Sequence, residues 1–243
     1  LFIKDIDVVQ KNKITLPNMT SESLLLGILL AIVGGFLDAY TFIGRDGVFA
    51  NAQTGNIVLV GIAALKGDWM QTLLNALPIF AFIVGVIIAE TIKKTSPILF
   101  VPDSARAVLI LEIGILFIIG FIPNNISNII VTVTISFVAS LQTSSFRKLV
   151  DSPYATTMCT GNLRSASQAA YTAFTKKDHE SAITAIRYFI IIFSFLFGAS
   201  AGAFLTLSIG AKAIWGAVIV LICSLILFNI DERKSNSTIN LKN

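Results

Sequence analysis

Ala52-Gln53-Thr54-Gly55-Asn56 and Met158-Cys159-Thr160-Gly161-Asn162 carry the same short phrase, Thr-Gly-Asn, twice. The two threonines stand 106 residues apart in a chain of 243, close to half its length. Each copy follows an apolar run of helix length and precedes two more. That is the pattern of a duplicated membrane unit with a polar, Gly-broken element inside each copy. In membrane transporters, interrupted segments at matching places point to the binding site.

Composition agrees with a bilayer setting. The chain is 55% hydrophobic and only 13% charged, with a mean hydropathy of +0.82. An ordinary soluble domain carries about a quarter charged residues. Six apolar runs, near 24–43, 73–92, 105–122, 126–146, 183–208 and 213–230, are of bilayer-crossing scale. A crossing helix needs roughly 20 such residues. The first run is too long for a cleavable signal, and a charged stretch precedes it. The net charge of +4 and pI of 9.1 are read as basic loops on one membrane face. No nucleic-acid partner is expected. Cys159 and Cys223 lack the spacing of a disulfide or zinc framework. The lone His179 lies in a charged loop and reads as solvated, so neither metal nor cofactor is expected. The sequons at Asn18, Asn125 and Asn236 are read as chance patterns.

Positive charge separates two topologies. If neither polar element crosses, there are six spans with both termini inside. Fifteen Lys and Arg then lie on the cytoplasmic side, and three, Arg45, Lys66 and Lys212, lie outside. If both cross, the split is ten to seven, with Arg164 stranded in the bilayer. The six-span arrangement obeys the positive-inside rule far better. Three crossings per half invert one half relative to the other. The fold expected is therefore an all-α polytopic membrane protein of six transmembrane helices. They form a 3+3 inverted repeat, and each half holds one re-entrant or broken TGN element. The divisions are a cytoplasmic tail at 1–22, repeats at 23–123 and 124–230, and a cytoplasmic, disordered tail at 231–243. The setting is a bacterial inner membrane.

The two polar elements are the candidate site. Thr54-Gly55-Asn56 ahead of Ile57-Val58-Leu59-Val60 reads as a loop feeding a short helix, with Thr or Asn as cap. Thr160-Gly161-Asn162 repeats it. Two helix starts meeting at mid-membrane would favour an anion. The plainer reading is a pair of tight turns packing two helices. Asn51 and Gln53 extend the first element. Asp38 precedes Thr54 by 16 residues, and Gln142 precedes Thr160 by 18 as its counterpart. Glu112 sits at the centre of its apolar run. An acidic residue there costs about 2.5–3.5 kcal/mol on insertion scales, so it faces the interior, as an ion or proton site or as a structural hydrogen bond. Arg164 has three readings: a contact to an anionic solute, a pair with Glu112, or a side chain reaching the cytoplasmic surface. Glu90 reads as interfacial and Pro78 as a kink. The small faces Gly27/Ala31/Gly35 and Gly198/Gly202 suit close helix packing, within the chain or in a homodimer.

Gly34-Gly35-Phe36-Leu37-Asp38-Ala39-Tyr40 and Val48-Phe49-Ala50-Asn51-Ala52-Gln53-Thr54-Gly55-Asn56 resemble the YoaK-like family of bacterial membrane proteins over about residues 22–230. The family pattern has Gly-x-Gln-Asn before the second motif. Here Ser140-Leu141-Gln142-Thr143 departs from it at residue 143 and keeps Gln142. The resemblance implies a polytopic inner-membrane protein and brings no substrate with it.

Three functions follow as expectations. The first is a secondary transporter or channel for a small polar or anionic solute, coupled to a proton or cation through Asp38 or Glu112. The second is a membrane scaffold or regulator, which a fold without a cavity between the two motifs would favour. The third, an intramembrane enzyme, lacks HExxH, GxSxG and any Cys/His pair at depth, and is not expected.

Overall fold

The computed structural model describes residues 23–94, 104–122, 127–146, 148–149, 152–153 and 159–240. The expected tail at 1–22, the loop around Pro97, Pro102 and Asp103, and the Asn18 and Asn125 sequons lie outside them. The described residues hold α1 (Leu24–Gly44), α2 (Gln53–Leu65), α3 (Trp69–Lys94), α4 (Ser104–Ile119) and α5 (Asn128–Ser145). They continue with α6 (Cys159–Lys176), α7 (His179–Ile209) and α8 (Ile214–Asn240). A two-residue antiparallel pair, β1 (Lys148–Leu149) with β2 (Ser152–Pro153), is the only departure from helix and coil among them. The backbone of α8 stays helical to Asn240, through the stretch expected to be disordered.

Four stretches are long and apolar enough to cross a bilayer: Leu24–Gly44, Trp69–Thr91, Asn128–Ser145 and His179–Asn229. The last, 51 residues long, contains α7 and the part of α8 up to Asn229. A one-turn 3-10 segment at Gly210–Ala213 separates them, and Gly210 takes a positive φ of 61° there. Helix α4, at 16 residues, is shorter than these. The chain is thus a multi-pass, helical membrane protein. Its outer faces show why. Phe80, Ile83 and Ile87 on α3, and Ile219, Ile222 and Ile226 on α8, recur at three and four residues and are exposed. That spacing makes one apolar stripe per helix, suited to lipid. The inner faces bury Leu30, Leu37, Leu109, Leu116, Ile135 and Ile214 in a common core.

Small residues decide how the helices meet. A Cβ on Gly198 would overlap the carbonyl of Ile32, and one on Gly202 the carbonyl of Phe36. One on Gly35 would overlap the carbonyl of Phe195. Here α1 and α7 touch backbone to backbone, and the numbers rise together, so the helices are parallel. The expected glycine faces are therefore used inside one chain. Helix α3 meets α5 in a similar way, with Gly85 against Phe137 and Ser140. Pro78 lies within α3.

The Gly44 end of α1 is pinned by polar contacts. Arg45 is 2% exposed, donating from Nη1 to Asn128 Oδ1 (2.8 Å) and from Nη2 to the Tyr40 hydroxyl (2.9 Å). Tyr40 in turn donates to the Ala211 carbonyl (3.1 Å). So α5 and the α7–α8 junction both begin at that end. Trp215 meets Phe117 and Gly120, while the Arg106 guanidinium lies 5.4 Å from the Phe228 ring, which sets α4 antiparallel to α8.

The two remaining helices are hairpin partners. Helix α2 returns into α3 through a turn at Gly67, and α6 into α7 through Lys177, both at positive φ (73° and 54°). With 13 residues α2 is about 20 Å long, well short of a roughly 30 Å hydrocarbon core. Helix α6 has 18 residues, but its Arg164, Ser167, Gln168 and Thr175 are exposed, and it is not among the apolar spans.

Candidate functional site

Both Thr-Gly-Asn phrases fall in the first turn of a helix, α2 and α6. In α2 neither Thr54 nor Asn56 is the cap. That position is Ala52, with no side-chain bond to the helix. Asn56 instead reaches back from within the first turn. Its Oδ1 accepts from the Phe49 N–H (2.9 Å), and its Nδ2 donates to the Phe49 carbonyl (2.8 Å) and to Gln53 Oε1 (2.9 Å). The amide thus closes the loop that enters the helix, a fully buried structural role. Gly55 lies beneath the Phe49 ring, where a Cβ would come within 2.8 Å.

Asp38 anchors the same loop from α1. Its Oδ1 accepts from the backbone N–H of Asn51 (2.7 Å) and Ala52 (3.3 Å). Asn51 Nδ2 donates to the Gly34 carbonyl (3.1 Å), and Thr41 Oγ1 accepts from the Ala50 N–H (3.1 Å). The start of α2 therefore sits level with residues 34–38 of α1. The start of α6 reaches the same level by another route. It lies beside Phe195 and Ala199 of α7, which pack on Gly35.

Between the two starts is a cavity of about 1120 Å³. Gln53 and Thr54 line it from α2, and Cys159, Thr160, Gly161, Asn162, Arg164 and Ser165 from α6. Helix α1 adds Asp38, with Asn51 from the loop beyond it. Helix α3 adds Phe82, Val86 and Glu90 at four-residue spacing on one face. Phe42 and Phe49, stacked with centroids 4.7 Å apart, and Phe195 give it apolar walls. Thr143, Ser144 and Ser200 complete the polar lining.

Of the residues read as a site, Asp38, Asn51, Gln53, Thr54, Thr160, Gly161, Asn162 and Arg164 share this cavity. Gly55, Asn56, Glu112 and Gln142 do not line it. The first two are behind the first turn of α2. Glu112 on α4 is fully buried, and neither carboxyl oxygen has a hydrogen-bond partner among the described residues, so it does not pair with Arg164. Gln142 is also fully buried, with its amide unpartnered among the described residues; the loop before α6, where a counterpart of the Asp38 anchoring would lie, is outside them. Its neighbours Thr143 and Ser144 face the cavity.

Glu90, expected at the interface, also lines the wall, and its spacing with Phe82 and Val86 is the signal for that. Arg45, expected as an outside loop charge, is a buried clamp. Among the described residues no three His, Cys, Asp or Glu gather as metal ligands, and His179 is exposed.

Comparison with known proteins adds kinship. The chain is 29% identical over 144 residues to the UPF0700 transmembrane protein YoaK of Bacillus subtilis (strain 168). That stretch covers 56% of this chain and 62% of the relative, so the chain spans less than two thirds of that protein's length. No solved structure matches the chain. Residues 26–227 match the family described as "Protein of unknown function (DUF1275)", and the chain belongs to that family.

Proposed function

We propose that this protein is a secondary transporter or channel for a small polar or anionic solute, with its site between the starts of α2 and α6. The observation that carries this is the single cavity lined by both Thr-Gly-Asn turns. Helix starts present unpaired N–H groups and a partial positive charge to whatever lies between them. Arg164 lies on the same wall, exposed, with no hydrogen bond or ion pair among the described residues.

The proposed architecture has six crossings, α1, α3, α4, α5, α7 and α8, as an inverted 3+3 repeat. The repeats run over 23–123 and 124–230, with both tails cytoplasmic in a bacterial inner membrane. The helix contacts support it, because they survive exchange of the halves. Helix α1 on α7 corresponds to α5 on α3, α2 on α3 to α6 on α7, and α1 on α8 to α5 on α4. The parallel α1–α7 pair makes α6 run from the tip level toward the Leu24 end. Gly85 meets α5 past its midpoint, which suits an α3 running the same way and an α2 running toward the Gly44 end. On this reading the two tips enter from opposite faces, as in transporters with broken helices around a midplane site.

Asp38 or Glu112 would bind the coupled proton or cation. Glu112 is fully buried with both oxygens unpartnered among the described residues, and a bound proton or cation would supply a partner. No catalytic step is proposed. A scaffold role remains the second reading, but the cavity between the motifs favours passage of a solute.

The test is thiol labelling in sealed membranes, in a Cys159→Ser, Cys223→Ser background. Lys66→Cys and Lys176→Cys should react with an impermeant maleimide from opposite sides. Thr54→Cys and Thr160→Cys should be reached through water. Labelling of Lys66→Cys and Lys176→Cys from one side alone would remove the inverted arrangement and the pathway with it.

A further inference from the structure

The lining of the cavity is not of one charge. Arg164 and the first turns of α2 and α6 favour a negative group. Asp38 stands in the same wall and repels one. A solute that is only anionic meets the Asp38 carboxylate, and one that is only cationic meets the guanidinium and two helix starts. A solute carrying both charges meets complementary groups at each end.

A second observation points to the positive end. Asn51 is 5% exposed and lines the cavity beside Asp38, and its Oδ1 is covered and has no hydrogen-bond partner among the described residues. Its Nδ2 donates to the Gly34 carbonyl. An ammonium supplies three N–H donors, one for the Asp38 carboxylate and one for this acceptor once the amide turns toward the cavity. The rest of the wall is aromatic: Phe42, Phe49, Phe82 and Phe195. Apolar walls with a few convergent polar groups bind the body of a ligand and orient its ends.

We infer that the cavity takes a small zwitterion with an apolar body, its ammonium at Asp38 and Asn51 and its anionic group at Arg164. This rests on the solute site proposed above and names the class of solute.

The probes are phenylalanine, phenethylamine and 3-phenylpropionate, titrated calorimetrically into the full chain in nanodiscs. Phenylalanine should bind at least tenfold more tightly than either singly charged analogue. Arg164→Gln should weaken phenylalanine at least tenfold and leave phenethylamine unchanged. Asp38→Asn should weaken phenylalanine equally and leave 3-phenylpropionate unchanged. That crossed pattern cannot come from loss of fold, which would weaken all three probes together. The inference is overturned if either analogue matches phenylalanine, if no probe binds, or if each variant weakens all three alike. The Thr54→Cys and Thr160→Cys labelling is independent of these probes. If both cysteines label while the probes fail, the zwitterion alone is lost. If neither cysteine labels, the pathway is lost too.

Discussion

Asp38 Oδ1 accepts the backbone N–H of Asn51 at 2.7 Å, so a carboxylate from α1 holds the loop that starts α2. The same residue lines the cavity. One side chain therefore shapes the tip and contributes charge to the space in front of it, and substitutions can separate the two roles.

Asp38→Asn keeps an oxygen for the Asn51 and Ala52 N–H groups, whereas Asp38→Ala leaves them bare. An unpaired buried donor costs about 1–3 kcal/mol. Thermal unfolding in detergent should show a clear loss for Ala and a much smaller one for Asn. Equal losses would mean that the charge, not the hydrogen bonds, holds the loop.

Asn56→Ala removes three hydrogen bonds from a fully buried amide and orphans the Phe49 N–H. A loss of about 2–4 kcal/mol is expected from bonds of this kind. Asn56→Asp keeps the acceptor but turns a second carboxylate oxygen onto the Phe49 carbonyl and Gln53 Oε1, so its melting temperature should fall at least as far as that of Ala.

Gly198→Leu forces a side chain into the Ile32 carbonyl, while Gly161 has no atom within 4 Å of a would-be Cβ. The first change should destabilise by about 3 kcal/mol through overpacking. Gly161→Ala should leave the melting temperature unchanged or slightly higher, since Ala is the better helix former. A large loss at Gly161 would contradict the open cavity.

Arg45→Lys keeps the charge but not the paired Nη1 and Nη2 bonds to Asn128 and Tyr40. Charge-assisted bonds contribute about 1.5–3 kcal/mol each, and Lys does not reproduce the fork. The variant should melt early, and Asn128→Ala added to it should cost little more. Full additivity in that double-mutant cycle would break the proposed link.

Glu112→Leu tests a group that the fold does not use. Both oxygens are buried without partners, so an apolar replacement should be neutral or stabilising by about 1–3 kcal/mol. A strongly lowered melting temperature would show that the carboxyl is structural. A stable variant would leave a functional reason for keeping it, consistent with the trade between stability and activity at working sites.

Much of this was visible in the residues alone. The runs read at 24–43 and 126–146 lie within two residues of Leu24–Gly44 and Asn128–Ser145, because helices long and apolar enough to cross a bilayer announce themselves by composition. The doubled Thr-Gly-Asn phrase marked both helix starts, since a polar triplet inside an apolar chain must satisfy its hydrogen bonds at a turn or a helix end. The division of labour within the phrase was not visible. Thr54 faces the cavity and Asn56 faces away because a first helical turn rotates each residue by about 100°. That phase depends on where the helix begins. Arg45 was hidden for another reason: its partner Asn128 becomes a neighbour only when α5 docks on α1. Glu90 precedes Lys93 and Lys94 in sequence, and local charge gave no hint that it also lines the cavity.

The seam between α1 and α7 has a mechanical consequence. Where Gly198 and Gly202 lie against the Ile32 and Phe36 carbonyls, the two backbones meet directly, while Ala31, Tyr188 and Ile191 pack side chain to side chain further along. A knobs-into-holes joint must lift before it slips, but a stretch where backbone rests on backbone can slide without changing a rotamer. In the transporter proposed above, travel of α1 along α7 on this track would open one end of the cavity as it narrows the other.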